Sequence, residues 1–227
     1  MGLSHSPRIV TDGLVLCLDA ANSRSYPGTG ATWTDLKGGN AGTLTNGPTF
    51  SSDNAGSIST DGSNDNIQFS DDESIRISNG DSATISMFVN PPTRSGTYQT
   101  LLSKNGSNYD TGYEIGIDQR ESASNGLAVR PGSASNVANF FTGYLDKWVF
   151  ITVVFTGTNA IPYRNGELHD GTHSQTTTST SDILVLGSRG TSSLYANCKY
   201  GIVMIHNRQL TADEIRQNYL ATKERYA

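Results

Sequence analysis

Charge is scarce in this chain. Asp, Glu, Lys and Arg make up 16% of its 227 residues, and the net charge is only −5. Lys and Arg nowhere form a dense cluster, so the chain lacks the basic footprint through which proteins displace counterions from nucleic acid. Cysteine is nearly absent, with Cys17 and Cys198 alone, which excludes a disulfide-rich scaffold. Long apolar runs are missing as well. None approaches the ~18 residues of a helical membrane span, and MGLSHSPRIVTDG carries no apolar stretch of the kind that forms a secretory signal. Nucleic acid and membrane are therefore not expected partners.

Turn-forming residues take up the difference. There are 24 glycines, and Asn-Gly or Asp-Gly pairs stand at 46–47, 61–62, 79–80, 105–106, 125–126 and 165–166, each suited to the positive φ of a tight turn. Short apolar or alternating runs lie between them. Strands are predicted at Leu14–Leu18, Ile67–Phe69, Ala83–Val89, Gln99–Ser103, Tyr113–Asp118, Gly126–Arg130, Trp148–Phe155, Ala160–Arg164, Ile183–Leu186 and Lys199–His206. This spacing reads as an all-β, two-sheet antiparallel sandwich. In WVFITVVF, Val149, Ile151, Val153 and Phe155 alternate with Phe150, Thr152 and Val154, so both faces are apolar and the strand is expected at a sheet centre, covered on both sides.

One helix is predicted at the C-terminus, in LTADEIRQNYLATKERYA. Thr211 with Glu214 three residues on forms a capping box, and Leu210 with Ile215 supplies a hydrophobic staple. Ile215, Tyr219 and Tyr226 share a face expected to seal the edge or floor of the sandwich. Cys17 in the first strand and Cys198 at the start of the last leave a disulfide geometrically open, while so few cysteines without an export signal favour two free, buried thiols.

The segments DGLVLCLDAANSRSYPGTGATWTDLKG (12–38), GTLTNGPTF (42–50), STDGSNDNIQF (59–69), Trp148 with YRNGE (163–167), and LGSRG through YGIVMIHNRQLTADEIRQNY (186–219) together resemble the concanavalin A-like lectin/glucanase superfamily, in its laminin G-like branch. The resemblance implies a jelly-roll sandwich over 12–227, with 1–11 as an N-terminal arm able to dock the domain onto a larger assembly. Cys17 and Thr60 depart from the aromatic residues common in that family. Within it the chain is most similar to single-domain proteins of marine cyanobacterial phages. That implies a non-enzymatic virion component, such as a capsid decoration, neck or tail appendage or fibre, made in the host cytoplasm and present in many copies or as a homo-oligomer. Its partners would be other virion proteins. A lectin-like module for host surface polysaccharide is the alternative.

The superfamily also contains glucan hydrolases, whose strand carries Glu-x-Asp-x-(x)-Glu. Here YEIGIDQRE puts Glu114 and Asp118 on one strand face with Gly116 between them. Four residues of strand span ~13 Å at ~3.3 Å each, whereas glycosidase carboxyls stand ~5–9.5 Å apart. No catalytic residue is expected, and a solvated strand face is the plain reading of Glu114 and Asp118. His169 and His173, in HDGTH, read as exposed loop histidines, and no cofactor is expected. A calcium ion is the one candidate, because laminin G-like domains often hold one; Asp61, Asp65 and Asn66, or Asp71, Asp72 and Glu73, offer hard oxygens. Tyr26, Trp33, Tyr98, Tyr109, Tyr113, Phe140, Phe141 and Tyr144 are candidate loop aromatics. The Tyr98–Tyr113 region is the candidate glycan site, and Trp33 is read as structural.

Overall fold

The computed structural model describes residues 7–78, 80–105, 111–120, 125–130, 135–175 and 177–227. Strands pair antiparallel throughout and form two sheets. The first runs, in spatial order, Glu167–Leu168 (β14), Asn159–Arg164 (β13), Val149–Thr156 (β12), Ser82–Asn90 (β7), Asn197–His206 (β17), Ser57–Asp61 (β5) and Thr49–Ser51 (β4). Leu14–Asp19 (β1) joins this sheet beside β17, and His173–Ser174 (β15) beside β13. The second runs Ser135–Val137 (β11), Gly126–Arg130 (β10), Tyr113–Asp118 (β9), Tyr98–Lys104 (β8), Leu184–Leu186 (β16), Asn66–Phe69 (β6), Gly42–Thr45 (β3) and Thr32–Trp33 (β2). This is the jelly-roll sandwich that the strand spacing and the resemblance imply, and every predicted strand is present to within two residues at either end.

The inner faces meet in one core. Ile85, Met87 and Val89 of β7 and Val149, Ile151, Val153 and Phe155 of β12 point into it, opposite Ile115, Ile117, Leu127 and Leu186 of the second sheet. The outer residues of the same two strands are covered too. Phe88 and Phe150 pair across the ladder with ring centroids 4.9 Å apart, and Ser86 and Thr152 share a buried hydrogen bond of 2.9 Å. β12 is thus central and apolar on both faces, as its pattern requires. At the β13–β14 turn Asn165 and Gly166 adopt φ of 52° and 80°, the left-handed pair that a two-residue hairpin demands.

Seven of the observed strands, β2, β3, β4, β5, β11, β14 and β15, are not among those predicted. β2, β3, β4 and β5 are rich in Ser, Thr and Gly; β2 and β5 each bury one large apolar side chain, Trp33 and Ile58, while Leu44 of β3 and Phe50 of β4 are only half-buried. Gly42 in β3 lies against Phe69, where an added Cβ would collide with the ring. Strand identity there is set by cross-strand partners rather than by local pattern.

The helix α1 spans Ala212–Thr222, and Thr211 and Glu214 form the expected capping box. It covers the outer face of the first sheet rather than the sandwich edge. Ile215 and Leu210 pack with Val154 and Val10, and Tyr219 and Tyr226 with Phe88 and Phe150. Pro7 to Gly13 runs beside the helix: the Val10 N–H donates to Asn218 Oδ1 at 2.7 Å and the Val10 carbonyl lies 3.0 Å from His206 Nε2. Cys17 and Cys198 are free and buried. β1 and β17 are neighbours, but Cys17 pairs with Met204 and faces outward, whereas Cys198 faces the core. The register and the two faces keep the thiols apart.

Candidate functional site

The outer face of the second sheet is polar where the first sheet's is aromatic. β8, β9 and β10 alternate, so Tyr98 and Thr100, Glu114 and Asp118, and Arg130 share that face; Arg130 stands opposite Glu114, and Asp118 opposite Tyr98. Arg189, from the turn after β16, completes the group. Its Nε and Nη2 donate to both oxygens of Glu114 at 2.6 and 2.8 Å. Glu114 also accepts from the Tyr98 hydroxyl at 2.6 Å, Asn105 Nδ2 at 2.9 Å and the Thr100 hydroxyl at 3.2 Å.

Glu114 is fully buried, not solvated as a plain strand face would be. The reading failed because charge compensation comes from Arg189, 75 residues away, and a buried charge is tolerated only when so paired. Burial opposes its ionisation, but the hydrogen bonds from Arg189 and Tyr98 outweigh that, and the carboxyl is held below the usual range. Asp118, also buried, receives Arg120 in a two-point contact at 2.8 and 2.5 Å. Burial is likewise outweighed, here by Arg120, and its carboxyl too is lowered. The Tyr98 ring lies among three guanidinium groups, of Arg130, Arg120 and Arg189, at 5.2, 5.5 and 5.7 Å. Burial and then the Glu114 charge push its phenol upward.

Between the carboxylates, Gly116 has no room for a side chain. A Cβ there would stand 2.7 Å from the Tyr98 hydroxyl and 2.9 Å from the Gln99 carbonyl oxygen. A middle carboxylate is therefore sterically excluded, as well as absent. What remains is a preformed bed of guanidinium, phenol and carboxylate groups on a rigid sheet, with Arg120 half-exposed at its rim.

The other expected groups are placed differently. Tyr26, Trp33, Tyr113, Phe140 and Phe141 are buried rather than displayed on loops; Trp33 is a core residue, as expected. Tyr144 lies under Arg164 at 4.5 Å, and Tyr109 falls outside the described residues. An open aromatic platform is therefore not found among the described members of that set. His169 is half-buried with its ring edge against Phe140 at 4.9 Å, and His173 is half-buried in β15, 3.5 Å from Asp170. Neither is the exposed histidine expected, because β13 and its neighbours fold over both.

Of the acidic sets, Asp71 is held by Arg76 and by Lys104 at 2.5 Å, and these contacts keep its carboxyl far below the usual range. Asp72 caps the short turn at Glu73–Ile75 through the Ser74 N–H, and Glu73 faces solvent. Asp61 accepts from the N–H groups of Ser63, Asn64 and Asp65. Asp65 lies beside it, raised first by burial and then by the Asp61 charge, in a cleft shared with Asn46, Thr49 and Ser59. The Asn66 amide is already engaged by Ser188 and Gln68. Among the described residues no three His, Cys, Asp or Glu side chains converge as a metal site, and no helix is long and apolar enough to cross a membrane.

Solved structures share this fold. The binding domain of Paraclostridial mosquitocidal protein 1 is 17% identical with a TM-score of 0.70, over 91% of this chain and 51% of that one. The botulinum neurotoxin serotype G binding domain is 18% identical with a TM-score of 0.68, over 91% and 50%. A Trypanosoma rangeli sialidase in complex with sialic acid is 14% identical with a TM-score of 0.69, over 98% and 36%. The chain thus spans about half of each toxin binding domain and about a third of the sialidase. No curated protein matches it in sequence. A model of the concanavalin A-like lectin/glucanases superfamily, laminin G type, matches residues 61–216, and the chain belongs to that superfamily.

Proposed function

We propose that the chain is a non-catalytic, lectin-like module that binds glycan through the outer face of its second sheet. The observation that carries this reading is the state of the strand whose sequence, YEIGIDQRE, comes nearest to the carboxylate motif of the superfamily's glucan hydrolases. Glu114 accepts five hydrogen bonds and is locked to Arg189, and Gly116 admits no side chain. A general acid must hold a proton near the working pH, and a carboxyl lowered by a guanidinium does not. The same groups suit binding. Arg120, half-exposed at the rim and held in place by Asp118, presents guanidinium donors at little cost in ordering, on a face kept rigid by the paired charges beneath it. A virion role, with other virion proteins as partners, rests on the resemblance alone, and is compatible with a module that adheres to surface polysaccharide.

The test is a glycan array probed with the wild-type protein and with Arg120→Ala, followed by product analysis on any glycan retained. Saturable binding weakened by the substitution, with the glycan recovered uncut, is the expected result. Cleavage would overturn the non-catalytic reading, and the absence of any retained glycan would overturn the lectin-like one.

A further inference from the structure

On the opposite side of the molecule, where α1 crosses the first sheet, the aromatic layer is left open at one end. Phe88 and Tyr226 stack at 4.4 Å, Trp148 meets Tyr226 at 4.7 Å, and Tyr219 lies 6.1 Å from Phe88. Phe88 and Tyr226 are buried, but Trp148 and Tyr219 remain half-exposed. With Asn165, Lys223 and Glu224 they line a cleft of about 210 Å³. Trp148 and Tyr219 pack on the buried rings with part of their surface and leave the rest at a gap ringed by an amide, an ammonium and a carboxylate.

The polar groups are positioned. Asn165 is fixed at φ 52° by the β13–β14 turn, and its Oδ1 accepts from the Phe150 N–H at 2.9 Å. That bond orients the amide, and its Nδ2 has no acceptor among the described residues. Lys223 Nζ sits 5.8 Å from the centre of the Tyr219 ring and 3.6 Å from Glu224. A neutral pyranose matches this set: its C–H face is apolar and packs on ring faces, while its hydroxyls both donate and accept. The cleft is smaller than the ~300–1,000 Å³ of drug-sized sites, which suits one sugar ring rather than an oligosaccharide.

We infer that this cleft is a second, monosaccharide-sized subsite, in which Trp148 and Tyr219 stack a neutral pyranose and Asn165, Lys223 and Glu224 bond its hydroxyls. The inference rests on the lectin-like reading but uses a different face. The chain's two tryptophans make it testable, because Trp33 is fully buried in the core and Trp148 is not. Tryptophan emission is titrated with glucose, galactose, mannose and N-acetylglucosamine, on wild type, Asn165→Asp and Arg120→Ala. Asn165→Asp keeps the Oδ1 acceptor and tolerates positive φ while removing the Nδ2 donor, and its melting temperature checks the fold.

The expected result is a saturable emission change with at least one sugar. Asn165→Asp should weaken it roughly five- to tenfold, the worth of one hydrogen bond, and Arg120→Ala should leave it unchanged. A response unaltered in Asn165→Asp overturns the inference. So does silence from Trp148 while the array shows glycan retained through Arg120, which leaves the lectin-like reading standing. Silence with no glycan retained removes both.

Discussion

On the first sheet, the outward side chains of β7 and β12 are covered by α1, and Phe88, Phe150, Tyr219 and Tyr226 form a largely apolar layer. On the second, no helix among the described residues lies over the outward side chains of β8, β9 and β10, and charge fills the space: Glu114 with Arg189, Asp118 with Arg120, and Tyr98 among the guanidiniums. The same strand alternation serves both faces. Where a helix supplies the cover, bulk suffices; where side chains must cover themselves, each charge needs a partner, and the resulting surface is rigid and polar. The difference explains why recognition is assigned to the second face and scaffolding mainly to the first.

The largest effect that would break this comparison is loss of a single partner in the charged face. Arg189→Ala leaves the Glu114 carboxylate buried without its two-point contact and should destabilise the fold by about 3–5 kcal/mol, read as a fall in the urea midpoint at unchanged m-value. Joint replacement of Glu114 and Arg189 by methionine should cost much less, since no charge is then stranded. On the apolar face, Ile215→Ala should cost about 2–5 kcal/mol through the lost methylenes and the cavity beneath α1. An equal loss in the single and double charged-face variants would show that Glu114 and Arg189 do not act as a unit.

The next effect is pH. His206 is buried and lowered, first by desolvation, with Arg208 adding to the shift and Glu214 and Asp12 opposing it. The unfolded chain takes up that proton near pH 6.5 and the folded chain resists it, so stability should fall as pH drops below about 6.5, by up to ~1.4 kcal/mol per unit. His206→Gln should flatten part of that slope; His169, lowered chiefly by burial, contributes with the same sign. At lower pH, Glu214, lowered to about 2 chiefly by its bonds from Arg208, contributes stability that is full above about pH 4.5 and lost as pH falls towards 2. Thr211→Ala should cost about 1 kcal/mol by removing the cap. The smallest effect concerns calcium. Asp61 is engaged by three amide groups and Asp71 by two cations, so calcium or a chelator should leave the melting temperature unchanged.

The legible parts of this molecule are those whose cause is local. The alternation in WVFITVVF, the Asn165-Gly166 turn and the Thr211 to Glu214 box each lie within a few residues of sequence, and each forms as read. β2 to β5 were not legible, because chains of Ser, Thr and Gly become strands only through partners such as β6 and β17. The burial of Glu114 and Asp118 was not legible. The register of YEIGID puts Glu114 and Asp118 on one face, yet their burial follows from Arg189 and Tyr98, which no spacing within that segment announces. Likewise, aromatics that read as loop residues turned inward because the sandwich needed their volume. Trp148 opens a strand expected to be covered on both faces, yet its ring is half-exposed.

The central claim is that the outer face of β8, β9 and β10 binds a glycan and does not cut it. The measurement that tests it most directly is a two-dimensional amide NMR titration with a glycan retained on the array, followed for the life of the sample. The account predicts shifts concentrated at Tyr98, Gly116, Asp118 and Arg120 that grow to saturation and then hold, with the glycan's own signals intact. Shifts that spare this face, or glycan signals that convert to those of shorter products, would contradict it.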